Sequence, residues 1–253
     1  MSIQPQPFRT PATPWPVDPF DGVLLVDKAS GPTSHDVVDA VRRRFGFDKV
    51  GHGGTLDPQA TGLLVLLIGR ATKLSDRFIG SDKAYDGDFL LGIATDSFDA
   101  DGRVLREADW RGVTREQVEA EMTKRQGDIM QTPPMVSAVK IEGVPLYKRA
   151  RKGQTVERKP RLIHVYEFAL RAFNPPSVSF TMRCTKGTYV RSLCADVGDA
   201  VGCGAHLKAL RRTASGSFKL ESAAPLDALL AMDRTELRSR ILSLHDLALA
   251  SVI

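Results

Sequence analysis

The chain has 253 residues, of which 42% are hydrophobic and 26% are charged, and its formal net charge is +5. This composition is ordinary for a globular protein with a sizeable core. No apolar run approaches the ~20 residues that a membrane-spanning helix needs, and the first residues lack the apolar core of a signal peptide. The sequence therefore argues against a membrane-spanning or secreted protein, and its modest basic surplus is compatible with a polyanionic partner.

Three cysteines, Cys184, Cys194 and Cys203, occur without any Cys-x-x-Cys pair. Such isolated cysteines argue against structural disulfides and against a zinc site. The sequence also lacks a Gly-x-Gly-x-x-Gly nucleotide motif, a Walker loop and a cluster of His, Cys and Asp with metal-ligand spacing. We therefore expect a cytoplasmic protein that holds no cofactor and no metal.

Residues 1–19 contain six prolines, and a segment so rich in proline cannot form a helix or an interior strand. We predict a flexible arm there. Folded structure is expected to begin with an apolar strand over Gly22–Lys28. A helix follows from Ser34 and is predicted to end at Gly46.

The most distinctive segment is the loop Gly51–Leu64, which holds one acidic side chain, Asp57, among turn formers, small residues and hydrophobes. Gly53 and Gly54 permit backbone conformations that are closed to other residues, and Pro58 directs the residue before it toward an extended conformation. A rigid loop that presents one carboxylate from the edge of a core suits a catalytic site. Taken alone, an Asp-Pro pair in a loop is also typical of a simple turn.

The rest of the sequence mixes strand-like alternation with helical spacing. Because the strands do not alternate strictly with helices, we predict an α+β fold with a mixed sheet. The predicted strands cover residues 63–68, which fit a buried strand or a tightly packed segment, and residues 85–91, 137–141, 162–170, 178–184 and 217–218, of which 217–218 is expected to be the final edge strand. The predicted helices cover residues 114–125, 188–201 and 205–211.

The loop His-Gly-Gly-Thr-Leu-Asp-Pro-x-Ala-Thr-Gly-Leu-Leu at residues 52–64 resembles the catalytic motif of the tRNA pseudouridine synthase B family. Further blocks resemble this family in the same order over roughly residues 20–218, which motif matching alone would rarely produce by accident. One departure is Ala29, where the family usually has proline. The further blocks lie at residues 22–34, 69–73, 91–102, 131–140, 147–153, 184–193 and 210–213.

The resemblance implies a pseudouridine synthase fold, in which helices and loops flank a central mixed, largely antiparallel sheet with a catalytic cleft. It implies a reaction that breaks the bond from ribose to uracil N1 and remakes it to C5, with no net redox change. Asp57 is implied to be the catalytic carboxylate, whether it attacks the sugar, attacks the base or removes the 2′ proton. Arg191 is implied to pair with Asp57, because an opposite charge favours an ionised carboxylate in a closed pocket.

The resemblance also implies substrate-binding roles for four further residues. Tyr85 corresponds to a tyrosine that stacks on the flipped base, an interaction worth ~1–3 kcal/mol. His52 corresponds to a histidine that helps to hold the everted RNA loop, and Tyr189 and Leu210 correspond to residues that line the uracil pocket. From residue type alone, each of the four also fits an ordinary core or loop position.

Seven basic residues lie within residues 148–161, with only Glu157 opposing them. A charge run is usually a solvated face. This one lies in the segment that resembles the mobile loop of the family, which closes over the RNA stem-loop. If the run binds phosphates, affinity should fall with salt. The residues that we expect at the RNA backbone are Lys148, Arg149, Arg151 and Lys152.

The resemblance divides the chain into the arm at 1–19, a catalytic domain at 20–224 and a C-terminal helical extension at 225–253. Many bacterial members continue into a C-terminal RNA-binding domain of the pseudouridine synthase and archaeosine transglycosylase (PUA) type. This chain has no room for that domain, so we expect weaker tRNA binding and an intact active site.

The leading hypothesis is a monomeric tRNA pseudouridine synthase that flips and isomerises uridine 55 in the TΨC loop, with the T stem-loop of tRNA as its partner. A guide-RNA-dependent pseudouridylase subunit of the dyskerin type is an alternative, against which the missing C-terminal domain argues. An RNA-folding chaperone is a second alternative, against which the retained Asp57, Tyr85 and Arg191 argue. A metabolic enzyme with a phosphate-cradling loop is a third, but no Lys-Ser/Thr follows Gly53 and Gly54.

Overall fold

The structure is a computed structural model that describes residues 18–249, apart from 136, 138–139, 142, 147–148, 150–153 and 155. Most of the predicted N-terminal arm therefore lies outside the described residues. No helix in the described part of the chain is both long and apolar enough to cross a membrane. The three cysteines are buried and free.

The strands are β1 (Gly22–Lys28), β2 (Val50–His52), β3 (Thr61–Ile68), β4 (Lys83–Leu91), β5 (Ile93–Thr95), β6 (Val104–Glu107), β7 (Gly127–Gln131), β8 (Lys140–Ile141), β9 (Val144–Pro145), β10 (Arg161–Asn174), β11 (Ser177–Cys184), β12 (Ala205–Ser215), β13 (Phe218–Lys219), β14 (Ala224–Pro225) and β15 (Ile241–Ser243). The α-helices are α1 (Ser34–Phe45), α2 (Ser75–Gly80), α3 (Arg115–Lys124), α4 (Val190–Ala200), α5 (Leu226–Ala231), α6 (Arg234–Arg240) and α7 (Leu244–Leu249), and short 3-10 helices cover Gly69–Leu74 and Leu220–Ser222.

Within the described residues, one eleven-stranded sheet runs in the order β14-β1-β3-β12-β4-β11-β10-β7, with β2, β13 and β15 paired beside this path. Most neighbours are antiparallel; β1 with β14 and β12 with β3 are parallel. The predicted α+β class with a mixed, largely antiparallel sheet is confirmed. The β5–β6 and β8–β9 hairpins form separate two-stranded sheets.

The sheet consists of two halves that meet at β3 and β12. The first half contains β1 and β3, which form seven residue pairs with each other. The second half contains β12, β4, β11, β10 and β7. Between the halves, β3 and β12 share only two residue pairs, Arg211 with Thr61 and Arg212 with Gly62, and we call this short junction the seam.

Hydrophobic side chains form a separate core for each half. The first core packs α1 and the short C-terminal helices onto one face of β1 and β3, through Val41, Leu64 and Leu237 among others. The second packs α3 and α4 onto β4, β10 and β11, through Phe168 and Leu193 among others. Both cores bury apolar side chains away from water, and this burial is the main favourable contribution to folding.

The helix ends follow local side-chain chemistry. Thr33 and Asp36 form a capping box at the start of α1, and Gly46 ends this helix in the left-handed conformation with φ 65°. Thr114 and Gln117 form a second capping box at α3. The predicted starts of both helices and the predicted end of α1 are confirmed.

The helix predicted at 205–211 is wrong, because these residues form the first part of β12, a central strand. Register shifts in its pairing with β4 fall at Lys208 and at Thr213. Each extra residue breaks the two-residue alternation of a strand. Leu207 and Leu210 therefore contact the same core at a spacing of three residues, and this spacing imitates a helix.

Two other predictions need correction. The strand predicted at 137–141 is described only as Lys140–Ile141, in a hairpin with Val144–Pro145. The strand predicted at 217–218 is displaced by one residue to Phe218–Lys219, and it is not the last strand. Both β14 and β15 pair with β1, so residues 224–243 contribute to the main sheet. The predicted domain boundary at 224/225 stays a prediction.

Candidate active site

The loop that carries Asp57 is hydrogen-bonded at every residue from 53 to 58. At its start, Gly53 N–H donates to Val65 O at 2.8 Å, and Gly54 N–H donates to His52 Nδ1 at 3.3 Å. The loop therefore has the rigidity that its sequence predicts. The remaining contacts are Arg212 to the carbonyls of Gly54 and Thr55, Ser34 Oγ to both backbone groups of Leu56, Ala60 N–H to Asp57 O, and Gly31 N–H and Lys28 Nζ to Pro58 O.

The two glycines of the loop are required by different constraints. At Gly53 a β-carbon would lie 2.7 Å from the Cβ atom of Phe78, which leaves no room for a side chain. Gly54 has φ +137°, in the region that other residues rarely adopt. The Gly-Gly pair therefore lets the loop lie directly on α2 and reverse its direction.

Asp57 presents an accessible carboxylate on the side of its loop that faces Arg191. Its side chain is 57% exposed, whereas the Arg191 side chain is 5% exposed. Arg191 Nη2 lies 3.7 Å from Asp57 Oδ2, and Arg191 Nη1 lies 2.7 Å from Asp99 Oδ2. Arg191 therefore joins two carboxylates, of which Asp99 is the closer one, while Asp57 stays accessible to a substrate.

The second half of the sheet positions Arg191 through the start of α4. Tyr189 is the N-terminal cap residue of this helix and makes no side-chain capping bond. Instead, the Gln131 side chain accepts from Tyr189 N–H at 2.8 Å and donates to Tyr189 O at 3.0 Å. The last residue of β7 thus fixes the first turn of the helix that carries Arg191.

Tyr85 and Leu210 lie where the two cores meet, because each packs against both of them. Tyr85 is partly buried, and burial raises the pKa of its phenol, while the Arg212 guanidinium beside the hydroxyl opposes this shift. Burial likewise raises the pKa of the Tyr189 phenol. These residues offer neutral, largely apolar surfaces, and the charge of Asp57 acts on both phenols.

Three buried cations lie beneath the Asp57 loop. Lys28 is fully buried and donates to Ala29 O and Pro58 O; its burial lowers its pKa to about 8, although the charge of Asp57 acts in the opposite direction. Lys83 donates to three carbonyls at the end of α2, and burial lowers its pKa to about 8 as well. Arg212 is the third cation, and burial lowers its pKa.

His52 has a structural contact and a neutral ring. Burial and the charge of Arg212 lower its pKa, so the imidazole is neutral at pH 7. Its Nδ1 accepts the Gly54 amide, which leaves the proton on Nε2. The ring is therefore available to a partner as a hydrogen-bond donor and as a flat surface.

Only one of the four predicted RNA-backbone residues belongs to the described part of the chain. Arg149 is described, and its carbonyl accepts from Gln154 N–H at 3.1 Å. Lys148, Arg151 and Lys152 lie outside the described residues. Their predicted contacts with RNA stay a prediction.

A cavity of about 730 Å³ lies beside the candidate site. Leu210 and Gln59 contribute to its wall, whereas Asp57, Tyr85 and Arg191 do not. Its other lining residues include Asp86 and Arg171, which form an ion pair at 3.0 Å. Because the cavity is lined by neither Asp57 nor Tyr85, we place the candidate active site at Asp57 and not in this cavity.

Sequence reasoning missed three residues that contact the site. Asp99 lies in a block that matched the family, but its contact with Arg191 depends on the 96–103 loop crossing β12, where Leu207 N–H donates to Phe98 O. Lys28 and Arg212 also lie in matched blocks, yet nothing in their local pattern indicates burial.

No group of three or more His, Cys, Asp and Glu side chains among the described residues is arranged to hold a metal ion. The charged side chains at this site are those of Asp57, Arg191 and Asp99. An accessible carboxylate beside a buried guanidinium is an arrangement typical of an enzyme site.

Comparison with known proteins agrees with this class. The model of the TruB family pseudouridylate synthase N-terminal domain matches residues 42–190, and that of the tRNA pseudouridylate synthase B C-terminal domain matches residues 191–249. A tRNA pseudouridine synthase B from Opitutus terrae is 52% identical over 229 residues, which are 90% of this chain and 95% of the relative. A second, from Geotalea uraniireducens, is 50% identical over 82% of this chain and 67% of the relative.

Among solved structures, a Cbf5-Nop10-Gar1 complex contains a chain that matches with a TM-score of 0.71 and 30% sequence identity. The match covers 90% of this chain and 61% of that chain. This chain belongs to the tRNA pseudouridine synthase B family, and it is a pseudouridine synthase.

Proposed function

We propose that this enzyme converts uridine 55 in the TΨC loop of tRNA to pseudouridine, with Asp57 as the catalytic carboxylate. The observation that carries the proposal is the accessible Asp57 carboxylate, which stands on a fully hydrogen-bonded loop 3.7 Å from the buried Arg191. The tRNA substrate is supported by the names of the relatives, which are tRNA pseudouridine synthases.

The isomerisation breaks the glycosidic bond from C1′ to uracil N1 and forms a bond from C1′ to C5. C5 loses its proton to solvent and N1 gains a proton from solvent, so the formula of the nucleotide is unchanged. Atoms and electrons balance within the substrate, so the reaction requires one well-placed carboxylate and a pocket that retains the detached uracil. Asp57 supplies the carboxylate. Arg191 supplies the opposing charge, which a pre-organised site uses to stabilise a developing charge distribution.

The target uridine reaches Asp57 only after it leaves the base stack. Tyr85 stacks on the flipped uracil, while Tyr189 and Leu210 enclose it. The position of Tyr85 between the two cores supports this role, because an immobile aromatic ring stacks on a base at little entropic cost. Neutral His52 supports the everted RNA loop by hydrogen bonding or stacking and not by ion pairing.

The basic segment provides the salt-dependent part of tRNA binding. Lys148, Arg149, Arg151 and Lys152 contact phosphates of the T stem-loop in this proposal. Four like charges within five residues would repel one another without an anionic partner. The enzyme acts as a monomer, so its activity per chain should not depend on its concentration.

The test is release of tritium from C5 of uridine in unmodified tRNA transcripts, with the modified position mapped. We expect wild-type enzyme to release one equivalent from normal transcripts, and none from transcripts in which uridine 55 is replaced by cytidine. A T stem-loop hairpin alone should also react. Release that persists after the replacement would contradict the assigned position.

A second candidate function is that of a guide-RNA-dependent pseudouridylase subunit. The TM-score of 0.71 to the chain in the Cbf5-Nop10-Gar1 complex favours it, although this chain spans only 61% of that chain. The same assay separates the two candidates. Turnover on free tRNA without a guide RNA or other protein supports the stand-alone enzyme, and its absence supports the guided subunit.

A further inference from the structure

We propose that Arg212 is a positioning residue that fixes the position of the Asp57 loop relative to Tyr85 across the seam of the sheet. This inference rests on the proposed function for its kinetic test, and it has a second test that does not use activity. Arg212 is not expected to touch the substrate. It acts through the backbone of the loop and through the phenol of Tyr85.

The candidate active site is divided between the two halves of the sheet, whose strands are paired only briefly at the seam. Asp57 belongs to the first half, since its loop leads into β3, whereas Arg191 and Tyr85 belong to the second half. Backbone pairing across the seam is limited to two residue pairs. Two strands joined so briefly need another contact to keep a fixed relative position.

Arg212 supplies this contact with a single side chain. Its Nε donates to Leu63 O at 2.7 Å, its Nη1 to Thr55 O at 3.2 Å and its Nη2 to Gly54 O at 3.1 Å. Arg212 is also the residue of β12 that pairs with Tyr85 of β4, and its charge acts on the Tyr85 phenol. One residue therefore contacts β3 and the catalytic loop through its side chain and pairs with the aromatic residue of β4 through its backbone.

The backbone at this point is packed as closely as the side chain. A β-carbon on Gly62 would lie 2.4 Å from Arg212 O and 2.8 Å from Arg212 N. The absence of a side chain at Gly62 thus allows β12 to approach β3 at the residue pair that Arg212 forms. The close approach and the guanidinium contacts occur at the same position.

The environment of Arg212 is unusual for a buried charge. Its side chain is 1% exposed, and none of the ion pairs found among the described residues includes it. A buried cation without a carboxylate is costly unless its donors are satisfied. Arg212 instead donates to three backbone carbonyls, and this points to a requirement for geometry at this position.

Arginine fits this requirement better than lysine. The guanidinium is planar, presents five N–H donors in fixed directions and stays charged, so it can bond carbonyls of separate segments at once. Lysine presents three donors on one nitrogen and reaches a single point. Arg212→Lys therefore keeps the charge and loses the geometry.

A matched control lies next to it on the same strand. Arg211 is 43% exposed and forms a two-pronged ion pair with Asp27 of β1, with N–O distances of 3.1 and 2.7 Å. It therefore also joins the two halves, but from an exposed position and without a hydrogen bond to the Asp57 loop. Arg211→Lys changes the same residue type by the same substitution, one position away. It leaves the loop contacts in place.

The first experiment measures single-turnover tritium release at saturating tRNA, together with the dissociation constant for tRNA. For Arg212→Lys we expect the rate constant to fall at least ~tenfold while the dissociation constant changes less than ~threefold, because misplacing a reacting group by about 1 Å is costly. Arg211→Lys should stay within ~twofold of wild type in both. Equal rates for Arg212→Lys and wild type would overturn the proposal.

The second experiment measures hydrogen exchange in the free enzyme and does not depend on the proposed function. In Arg212→Lys we expect faster exchange confined to residues 53–62 and to the adjoining part of β4. Exchange that is faster uniformly across the sheet, or unchanged everywhere, would overturn the proposal. If the lysine variant does not reach the wild-type circular dichroism spectrum, Arg212→Gln is subjected to the same two criteria.

Loss of the proposed function can be distinguished from loss of this inference. A wild-type enzyme that releases no tritium from tRNA would contradict the function and leave the exchange result to decide on Arg212. An active wild type, with Arg212→Lys indistinguishable from it in rate and exchange, would contradict only the role of Arg212.

Discussion

The two halves of the sheet differ in how they are buried, and the difference matches what each contributes to the site. Residues 63–68 of β3 are buried throughout, because the core that includes α1 covers one face and a further apolar cluster with Phe78 and Phe218 covers the other. In contrast, β11 alternates between buried and partly exposed residues, since only one face is covered. The first half therefore has packed layers on both faces of its strands, whereas the second half has a packed layer on one face.

The carboxylate of Asp57 and its partners are therefore carried by halves of the sheet that are buried to different degrees. A loop anchored on a strand that is buried on both faces has few ways to move, which suits a catalytic group. The second half carries Arg191, Tyr85 and Tyr189, which in the proposed function meet the substrate from the side opposite Asp57. A site divided in this way depends on the contacts that join the two halves.

Among changes to the contacts between the halves, the largest effect is expected from removing Arg191. Arg191→Met leaves the Asp57 and Asp99 carboxylates without their shared cation, and the loss of one pre-organised electrostatic partner typically lowers turnover ~10²–10³-fold. Single-turnover tritium release measures this loss. Arg106→Met is the control, because it removes an exposed pair with Asp199; a similar loss in the control would refute the special role of Arg191.

A smaller effect, on stability, is expected from widening the seam. Gly62→Ala introduces a β-carbon 2.4 Å from Arg212 O at a residue with φ +96°, so the free energy of unfolding should fall by ~1–3 kcal/mol or more. Urea denaturation measures the change. Gly112→Ala has open space around it and no positive φ, so it should change little. Equal stabilities for the two variants would contradict the close packing at the seam.

The Lys28 cation should give the site a pH limit. Because its pKa is about 8 in the folded protein, Lys28 is charged below that pH and neutral above it, so turnover should decline as pH rises through about 8. Lys28→Met should lower the plateau and remove this decline. Lys83→Met removes a cation that bonds carbonyls at the end of α2, so this variant should retain the decline in turnover. The same pH profile in both variants would argue against Lys28 as the source of the decline.

The lowered pKa of Lys28 has the opposite effect on stability, which should rise with pH over the range in which turnover falls. A free lysine titrates at about 10.5, so between about 8 and 10.5 the unfolded chain binds more protons at Lys28 than the folded chain does. The free energy cost of burying the charged amine is therefore fully present below about 8 and is relieved as pH rises toward 10.5. The contribution of Lys28 to stability should increase over the pH range in which activity declines.

The smallest effect on chemistry is expected from the basic segment, whose proposed role is to bind tRNA and not to take part in the reaction. Neutralising its four residues with glutamine should weaken tRNA binding and reduce the slope of log affinity against log salt by ~0.7–0.9 for each phosphate that the segment no longer neutralises. The rate constant at saturating tRNA should change little. The residues are Lys148, Arg149, Arg151 and Lys152.

Four exposed cations elsewhere provide the control for charge alone. Neutralising them changes the net charge by the same amount and should leave the salt slope of tRNA binding nearly unchanged. An equal reduction of slope in both variants would mean that binding depends on overall charge and not on this segment. The control residues are Arg103, Arg111, Arg115 and Lys124.

The difference between the halves also explains how much the sequence could predict. The continuous apolar run at 63–68 and the alternation at 178–184 identify strands of two kinds, and both are confirmed. Capping pairs located α1 and α3. The family resemblance identified the residues around Asp57, and the structure brings Arg191 to 3.7 Å from it. Their roles in catalysis stay predictions.

What the sequence could not predict depends on long-range contacts. The bulges at Lys208 and Thr213 made a central strand imitate a helix, and only its pairing with β4 reveals the strand. The contact of Asp99 with Arg191 joins residues 92 positions apart. The burial of Arg212 depends on the seam, which no local pattern indicates.

The most direct test of the divided site is the rate of tritium release in a single turnover for Asp57→Asn beside wild type, with tRNA binding measured in parallel. The account predicts no release above background and an almost unchanged dissociation constant, because the amide keeps the shape and removes the charge. Asp86→Asn, which alters a carboxylate paired with Arg171, should react like wild type. Release by Asp57→Asn at a rate near that of wild type would contradict the account.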